Sequence, residues 1–179
     1  MIEARPSGLV SSRFQISEDG HTVGSIRYPV ITFAYRATIS SPEGTYTAQA
    51  RGNRNGPLPF SRNLTFLLEG KDGVVASSQP TGKWPLQKYE VVFGDQNYLL
   101  EYYSALEISD VHLRASFRLT QAGTPLGSIK ARGPLCWTYQ VALPPTVPLL
   151  AKLFALYLAD VLSNYSPVRL HFCLGVKSV

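Results

Sequence analysis

The segment that decides the fold is VPLLAKLFALYLADVL, which runs from Val147 to Leu162. Thirteen of its sixteen residues are apolar, and its leucines and alanines favour a helix. Prolines precede it, and Pro148 suits a first helical turn. Because apolar side chains lie on nearly every face, such a helix must be buried in protein or in lipid.

The length of this segment favours burial in protein. Sixteen residues of helix span about 24 Å, which is shorter than the roughly 30 Å hydrocarbon core of a bilayer. The segment also carries two charged residues, Lys152 and Asp160. We therefore expect no transmembrane span, and we predict a buried helix over about 147–163 with the other elements closing around it.

Most of the remaining chain alternates apolar and polar residues with a period of two, which is typical of strands with one buried face. The clearest run puts Leu113, Phe117 and Leu119 on one face and Arg114 and Arg118 on the other. Turn sequences separate the runs at 18–20, 42–44, 71–73, 94–97 and 121–123.

We count about ten to twelve such strands, which is typical of an antiparallel barrel or sandwich. Together with the helix they predict one mainly β domain over 1–179, with its core over about 12–175. Its architecture would be a closed antiparallel β-barrel around one buried hydrophobic C-terminal helix. The alternating tail from Val168 to Leu174 would add one more strand.

An internal repeat links two of these strand pairs. FQISEDGHTVGSIR at 14–27 aligns without a gap with FRLTQAGTPLGSIK at 117–130, and five of the fourteen positions are identical. Each copy predicts a hairpin with a bulge at Gly24 or Gly127, because the apolar parity changes there. The repeat indicates two related halves, or convergence on a common hairpin sequence.

Amphipathic strands, hairpins of the form F-x-I-x-x-x-G-x-x-V-G-x-I and one hydrophobic helix near the C-terminus together resemble the tubby C-terminal-like superfamily, over about 14–165. This superfamily includes tubby proteins, phospholipid scramblases and LURP-one-related proteins. The resemblance implies a closed barrel of about twelve strands threaded by a helix. No tubby phosphoinositide fingerprint, palmitoylated cysteine cluster or acidic calcium segment is seen, so the LURP-one-related group is the most similar.

Charge, cysteine content and the N-terminal sequence indicate the type of partner and the location of the protein. Seventeen Lys and Arg against twelve Asp and Glu give a formal charge of +5, which suits anionic partners or simple solubility. Two cysteines, Cys136 and Cys173, do not form a disulfide framework, and we expect free thiols with one bridge as the alternative. The start of the chain lacks an apolar signal segment, and Ile2 excludes N-myristoylation. We expect a cytoplasmic protein, peripheral to a membrane at most.

The strongest candidate site is a basic face on the second repeat hairpin. Strand parity puts its side chains outward on neighbouring strands, and no acidic residue lies between the first and last of them. These residues are His112, Arg114, Arg118, Lys130 and Arg132. They predict a surface that binds anionic lipid headgroups, or a partner at a membrane. Alternatively they pair with Glu101, Glu107 or Asp110 on neighbouring strands and serve only solubility.

A second basic segment, RGNRNGPLPFSR at 51–62, reads as a loop. Arg51, Arg54 and Arg62 would surround an apolar tip at Leu58 and Phe60, which suits a membrane surface. The alternative is that Phe60 folds back onto the core and the arginines only solvate the loop.

Motifs for catalysis are missing from the sequence. It holds no H-E-x-x-H, C-x-x-C, G-x-S-x-G or phosphate-loop pattern, so we predict no metal, cofactor or catalytic residue. Asp110 and His112 could still form a triad with a serine in space. We predict a non-enzymatic binding module; the alternatives are a small-molecule-binding or hydrolytic barrel enzyme and a single-stranded nucleic-acid binder that stacks bases on tyrosines.

Overall fold

The computed structural model describes residues 1–7, 13–29, 35–52, 64–81, 88–103, 116–132 and 138–164. Within these ranges the chain is mainly β, with twelve strands and one helix, α1 (Leu149–Asn164). The strands are β1 (Ile2–Pro6), β2 (Arg13–Glu18), β3 (His21–Arg27), β4 (Ala37–Ser41), β5 (Gly44–Arg51), β6 (Thr65–Gly70), β7 (Gly73–Thr81), β8 (Lys88–Phe93), β9 (Gln96–Tyr103), β10 (Ser116–Gln121), β11 (Thr124–Arg132) and β12 (Thr138–Ala142).

The strands form a closed antiparallel barrel, as predicted from the alternation. Each strand pairs with the strand before it and the strand after it, and β1 closes the circle by pairing with β12. Closure removes the exposed sheet edges that would otherwise pair with other chains. The barrel also includes β1, which lies before the predicted core at about 12–175. The sequence did not predict this strand, because Ile2 and Ala4 are its only inward-facing residues.

The two ends of the barrel differ. Two-residue turns join the strands at one end, here called the turn end, at 19–20, 42–43, 71–72, 94–95 and 122–123. These are the turns predicted from glycine, aspartate and asparagine. The strands β2, β4, β6, β8, β10 and β12 begin at the opposite end, here called the far end. Because β12 runs towards the turn end, α1 starts there and returns through the barrel to the far end.

The helix fills the interior of the barrel. Its side chains from Leu150 to Val161 are all buried, including the predicted Leu153, Phe154, Leu156, Tyr157 and Leu158. Tyr157 packs edge-on against Phe66 of β6, and Asp160 accepts a hydrogen bond from Tyr139 of β12. Since β6 and β12 stand on opposite sides of the barrel, these contacts place the helix between them. No helix in the described ranges is both long and apolar enough to cross a bilayer.

The repeat forms two matching hairpins, β2–β3 and β10–β11. The register shifts between Ile16 and Ser17 in the first and at the equivalent position, between Leu119 and Thr120, in the second. These shifts confirm the predicted bulges next to Gly24 and Gly127. The turn residues match as well: positive φ angles occur at Asp19 and Gly20 in the first hairpin and at Ala122 and Gly123 in the second.

Both glycines of the repeat lie against the backbone of the next strand. A Cβ added at Gly24 would lie 2.6 Å from the carbonyl oxygen of Ser40 on β4, and one added at Gly127 would lie 1.9 Å from that of Ala142 on β12. Glycine is therefore required by close strand packing, which is the usual meaning of glycine inside a strand. The predicted tail strand at 168–174 and both cysteines, Cys136 and Cys173, lie outside the described residues.

Candidate functional site

The basic face predicted from the sequence lies partly within the described residues. Arg118 on β10 and Lys130 and Arg132 on β11 are exposed on the outer surface, as strand parity predicts. His112 and Arg114 lie outside the described residues. The three described cations thus share one side of the barrel.

Neighbouring strands supply polar partners to this face. Arg118 stands opposite Glu101 of β9, and Glu101 itself forms an ion pair with Lys88 of β8. The Nε of Arg132 donates a 3.0 Å hydrogen bond to the side-chain oxygen of Gln140 on β12. The face is therefore a mixed surface with an excess of positive charge, and Glu101 occupies the neighbouring position that the solubility alternative requires.

The predicted basic loop at 51–62 is described at its first two residues only. Arg51 ends β5, is exposed and pairs with Glu69 of β6 at 2.6 Å between Nη2 and Oε1. Exposed pairs of this kind contribute little to stability because water and salt screen them. Arg54 and Arg62 lie outside the described residues.

A second group of cations escaped the sequence analysis. Arg13 of β2 stands directly opposite Arg27 of β3 in the antiparallel register, and both side chains are exposed. Arg36 is also exposed and lies two residues before Thr38, which is the register partner of Arg27 on β4. These three residues, here called the arginine cluster, lie at the far end of the barrel: Arg13 and Arg27 on β2 and β3, and Arg36 immediately before β4. The signal was present in the first repeat hairpin, where the turn and the bulge together set Arg13 against Arg27.

Uncharged polar side chains border the arginine cluster. Gln15, Ser25 and Ser40 form the next outward-facing row across β2, β3 and β4. Gln15 is held across the hairpin, where its Nε2 donates to Oγ1 of Thr22 at 2.8 Å. A groove of about 380 Å³ follows this row. Its lining is mostly polar and comprises Ser7, Arg13, Gln15, Thr22, Val23, Gly24, Ser25, Ser40, Ser41 and Pro42.

Charge is distributed unevenly along the barrel axis. Within the described ranges, the acidic side chains of the turn end are Glu18, Asp19, Glu43, Asp72 and Asp95. The exposed cations closest to the far end are Arg13, Arg27, Arg36, Arg51, Lys88 and Arg132. The separation is partial, because Lys71 lies at the turn end and the far-end cations Arg51 and Lys88 are paired with Glu69 and Glu101.

The interior holds a polar cluster near the far end. The Tyr139 hydroxyl donates a 2.8 Å hydrogen bond to the buried carboxylate of Asp160, and the Tyr157 hydroxyl donates to the backbone carbonyl of Tyr35. Burial, followed by the nearby Asp160 carboxylate, raises the pKa of Tyr28 well above its ordinary value. Burial likewise raises the pKa of Tyr89 to about 12. These tyrosines therefore stay protonated at neutral pH.

The geometry of this cluster supports a structural role. Phe14 contacts both Tyr28 and Tyr139 edge-on, and Tyr157 stacks on Tyr28, so rings enclose the carboxylate. A tyrosine hydroxyl that donates to a buried carboxylate satisfies a charge that would otherwise be costly to bury. The cluster anchors the end of α1 to β12. In the parts of the chain described here, no three histidine, cysteine or acidic side chains come together as metal ligands.

Comparison with known proteins finds no relative. The chain matches no protein-family model, no curated protein and no solved structure.

Proposed function

We propose that this chain is a non-enzymatic binding module that docks at a membrane surface by contacting anionic lipid headgroups. The observation that carries the proposal is the set of exposed cations Arg13, Arg27 and Arg36 at the far end and Arg118, Lys130 and Arg132 on the β10–β11 face. A Lys or Arg near an anionic membrane contributes about 1 kcal/mol, so several that reach the same surface are sufficient for salt-sensitive docking. Membership of the tubby-like superfamily, and a cytoplasmic location peripheral to the membrane, belong to the same proposal.

The two alternatives have weaker support. A single-stranded nucleic-acid binder needs exposed rings on which bases stack. None of the aromatic side chains whose burial is described is exposed; several, such as Tyr89, Tyr98 and Tyr139, lie in the core. A small-molecule or hydrolytic barrel enzyme needs an interior cavity, and the buried side chains of α1 occupy the barrel interior.

Vesicle co-sedimentation tests the proposal. The protein should sediment with vesicles that contain phosphatidylserine, remain in solution with pure phosphatidylcholine, and be released as salt is raised, because salt screens surface charges. Equal sedimentation with both kinds of vesicle would overturn the proposal. A salt-sensitive gel shift of single-stranded DNA without vesicle binding would favour the nucleic-acid alternative instead.

A matched pair of variants tests the surface. Replacing Arg118, Lys130 and Arg132 with glutamine should weaken vesicle binding by about tenfold or more, since each cation contributes about 1 kcal/mol. The control carries Thr45→Glu, Asn97→Asp and Thr124→Glu, which lower the net charge by the same three units at exposed turn-end positions. If the control loses binding equally, net charge alone drives the association and this face has no particular role.

A further inference from the structure

Two residues of the arginine cluster, Arg13 and Arg27, carry like charges at directly opposite positions of neighbouring strands. Residues directly opposite in an antiparallel pair have Cβ atoms about 5 Å apart, and like charges there are destabilising. Arg13 and Arg27 occupy such a pair. In the described part of the chain, no acidic side chain forms an ion pair with Arg13, Arg27 or Arg36. An anion that joins the cluster would remove this repulsion.

The repeat supplies an internal comparison. The positions that correspond to Arg13 and Arg27 in the second hairpin are Ser116 and Lys130, which also stand opposite each other. The same backbone therefore forms without a pair of facing cations. The two arginines are not a requirement of the hairpin, and their presence in one copy points to a ligand.

The surface beside the cluster is suited to oxygen atoms of an anion. Ser25 and Ser40 are register partners on β3 and β4, and both are half-buried in the groove. Their short side chains line the groove together with Arg13 and offer hydroxyl donors there. On the outer surface, the neighbouring Arg5 pairs with Glu3 at 2.7 Å, whereas no described acidic side chain forms an ion pair with the arginine cluster.

We propose that Arg13, Arg27 and Arg36, with Ser25 and Ser40, form a binding site for one phosphate monoester group. Arginine presents a planar fork that matches phosphate oxygens in pairs, and two or three arginines balance its charge of nearly two units. A carboxylate has one charge and two oxygens, so it would leave part of the cluster uncompensated. As a site for a lipid headgroup, it rests on the proposed function. The same phosphate group could also be supplied by a soluble phosphate compound.

Titration with glycerol 3-phosphate, followed by NMR of the arginine side-chain Nε–H groups, tests the site directly. Saturable shifts should be confined to the three arginines. Arg13→Gln and Arg27→Gln should each weaken binding by about tenfold or more, because a lost charge-assisted hydrogen bond is worth a factor of this size. Arg27→Lys should have an affinity for glycerol 3-phosphate between those of wild type and Arg27→Gln, since it keeps the positive charge and loses the planar guanidinium group. Lys71→Gln at the exposed turn end is the control of equal charge change and should bind like wild type.

Vesicles distinguish the two sources of phosphate. At matched surface charge, vesicles with phosphatidic acid, a phosphate monoester, should bind more tightly than vesicles with phosphatidylserine, and glycerol 3-phosphate should compete. If glycerol 3-phosphate binds but neither vesicle does, the site stands with a soluble ligand and the membrane function fails. If vesicles bind equally well to wild type and to Arg13→Gln and glycerol 3-phosphate does not compete, the membrane function stands and the site is overturned. Absence of saturable binding by glycerol 3-phosphate also overturns it.

Folding of the variants is checked by thermal melting. Removing one member of a repulsive pair should leave the melting temperature unchanged or higher. Saturating glycerol 3-phosphate should raise the melting temperature of the wild type and not that of Arg27→Gln, because a ligand stabilises only the state that binds it. Equal shifts in both proteins would contradict the site.

Discussion

The two repeat hairpins share a backbone and differ in surface chemistry. Both have a two-residue turn with positive φ angles, a register shift at the same step and a glycine against the next strand. In the β2–β3 hairpin, two arginines stand opposite each other on neighbouring strands. In the β10–β11 hairpin, Lys130 stands opposite Ser116. Inward positions and special backbone positions are shared because they build the barrel, whereas outward positions are free to differ.

The largest expected effect tests whether the two hairpins contribute equally to the core. Phe14 and Phe117 occupy the same repeat position, and both are buried. Phe117→Ala should lower the free energy of unfolding by about 3–5 kcal/mol, and Phe14→Ala should do nearly the same. Urea denaturation measures both, with exposed Val74→Ala as the control. A loss below about 1 kcal/mol at either position would show that the halves are not equivalent in packing.

Replacing the two glycines of the repeat should lower the stability by different amounts. The Cβ of Gly127→Ala would approach backbone to 1.9 Å, against 2.6 Å for Gly24→Ala, so strand β12 would have to move further than β4. We expect a loss of about 3 kcal/mol for Gly127→Ala and about 1–2 kcal/mol for Gly24→Ala. The same denaturation experiment measures both values, and a larger loss at Gly24 would reverse the order that the distances predict.

The turns should differ by a smaller amount. Ala122 has a φ of 47° and Asp19 a φ of 51°, and aspartate tolerates this left-handed region better than alanine. Ala122→Gly should therefore stabilise the protein by about 0.5 kcal/mol, after the greater chain entropy of glycine is subtracted. Asp19→Gly should be neutral or slightly destabilising, because it also loses the 3.1 Å ion pair with the amino group of Met1. Differential scanning calorimetry of the two variants checks the sign.

The smallest effect concerns the outward charges. Arg27→Gln removes one member of the Arg13–Arg27 pair and should stabilise the ligand-free protein by about 0.3 kcal/mol at low salt. Lys130→Gln, at the same repeat position, should have no measurable effect because its partner is Ser116. Raising the salt concentration should abolish the difference between the variants, since exposed charges are screened. A difference that persists at 1 M salt would have another cause.

Much of the fold could be predicted because its signals are local. Alternation along each strand, turn residues between strands and the apolar segment that forms α1 all act over a few residues. The repeat even locates the bulges beside Gly24 and Gly127. The short strand β1 was not marked in this way, because two inward residues, Ile2 and Ala4, are too few to establish a period.

The candidate sites were only partly predictable. Strand parity placed Arg118, Lys130 and Arg132 outward, because side chains alternate along a strand. Parity gives no information on which residue of the next strand lies beside them. The position of Glu101 opposite Arg118 depends on the register between β9 and β10, which is set by pairing between strands, whereas that of Arg13 opposite Arg27 follows from the turn and bulge of one hairpin.

The sequence by itself determined the architecture of this protein: strands with one apolar face, tight turns between them and a helix too apolar to be exposed to water. Only the tertiary structure decided which side chains meet. The hydrogen bond from Tyr157 to Tyr35 spans 122 residues, and the arginine cluster combines residues of β2 and β3 with the residue before β4. The physical reason is that burial and backbone preference act on each residue separately, whereas a site requires distances between residues that are fixed only when the barrel closes.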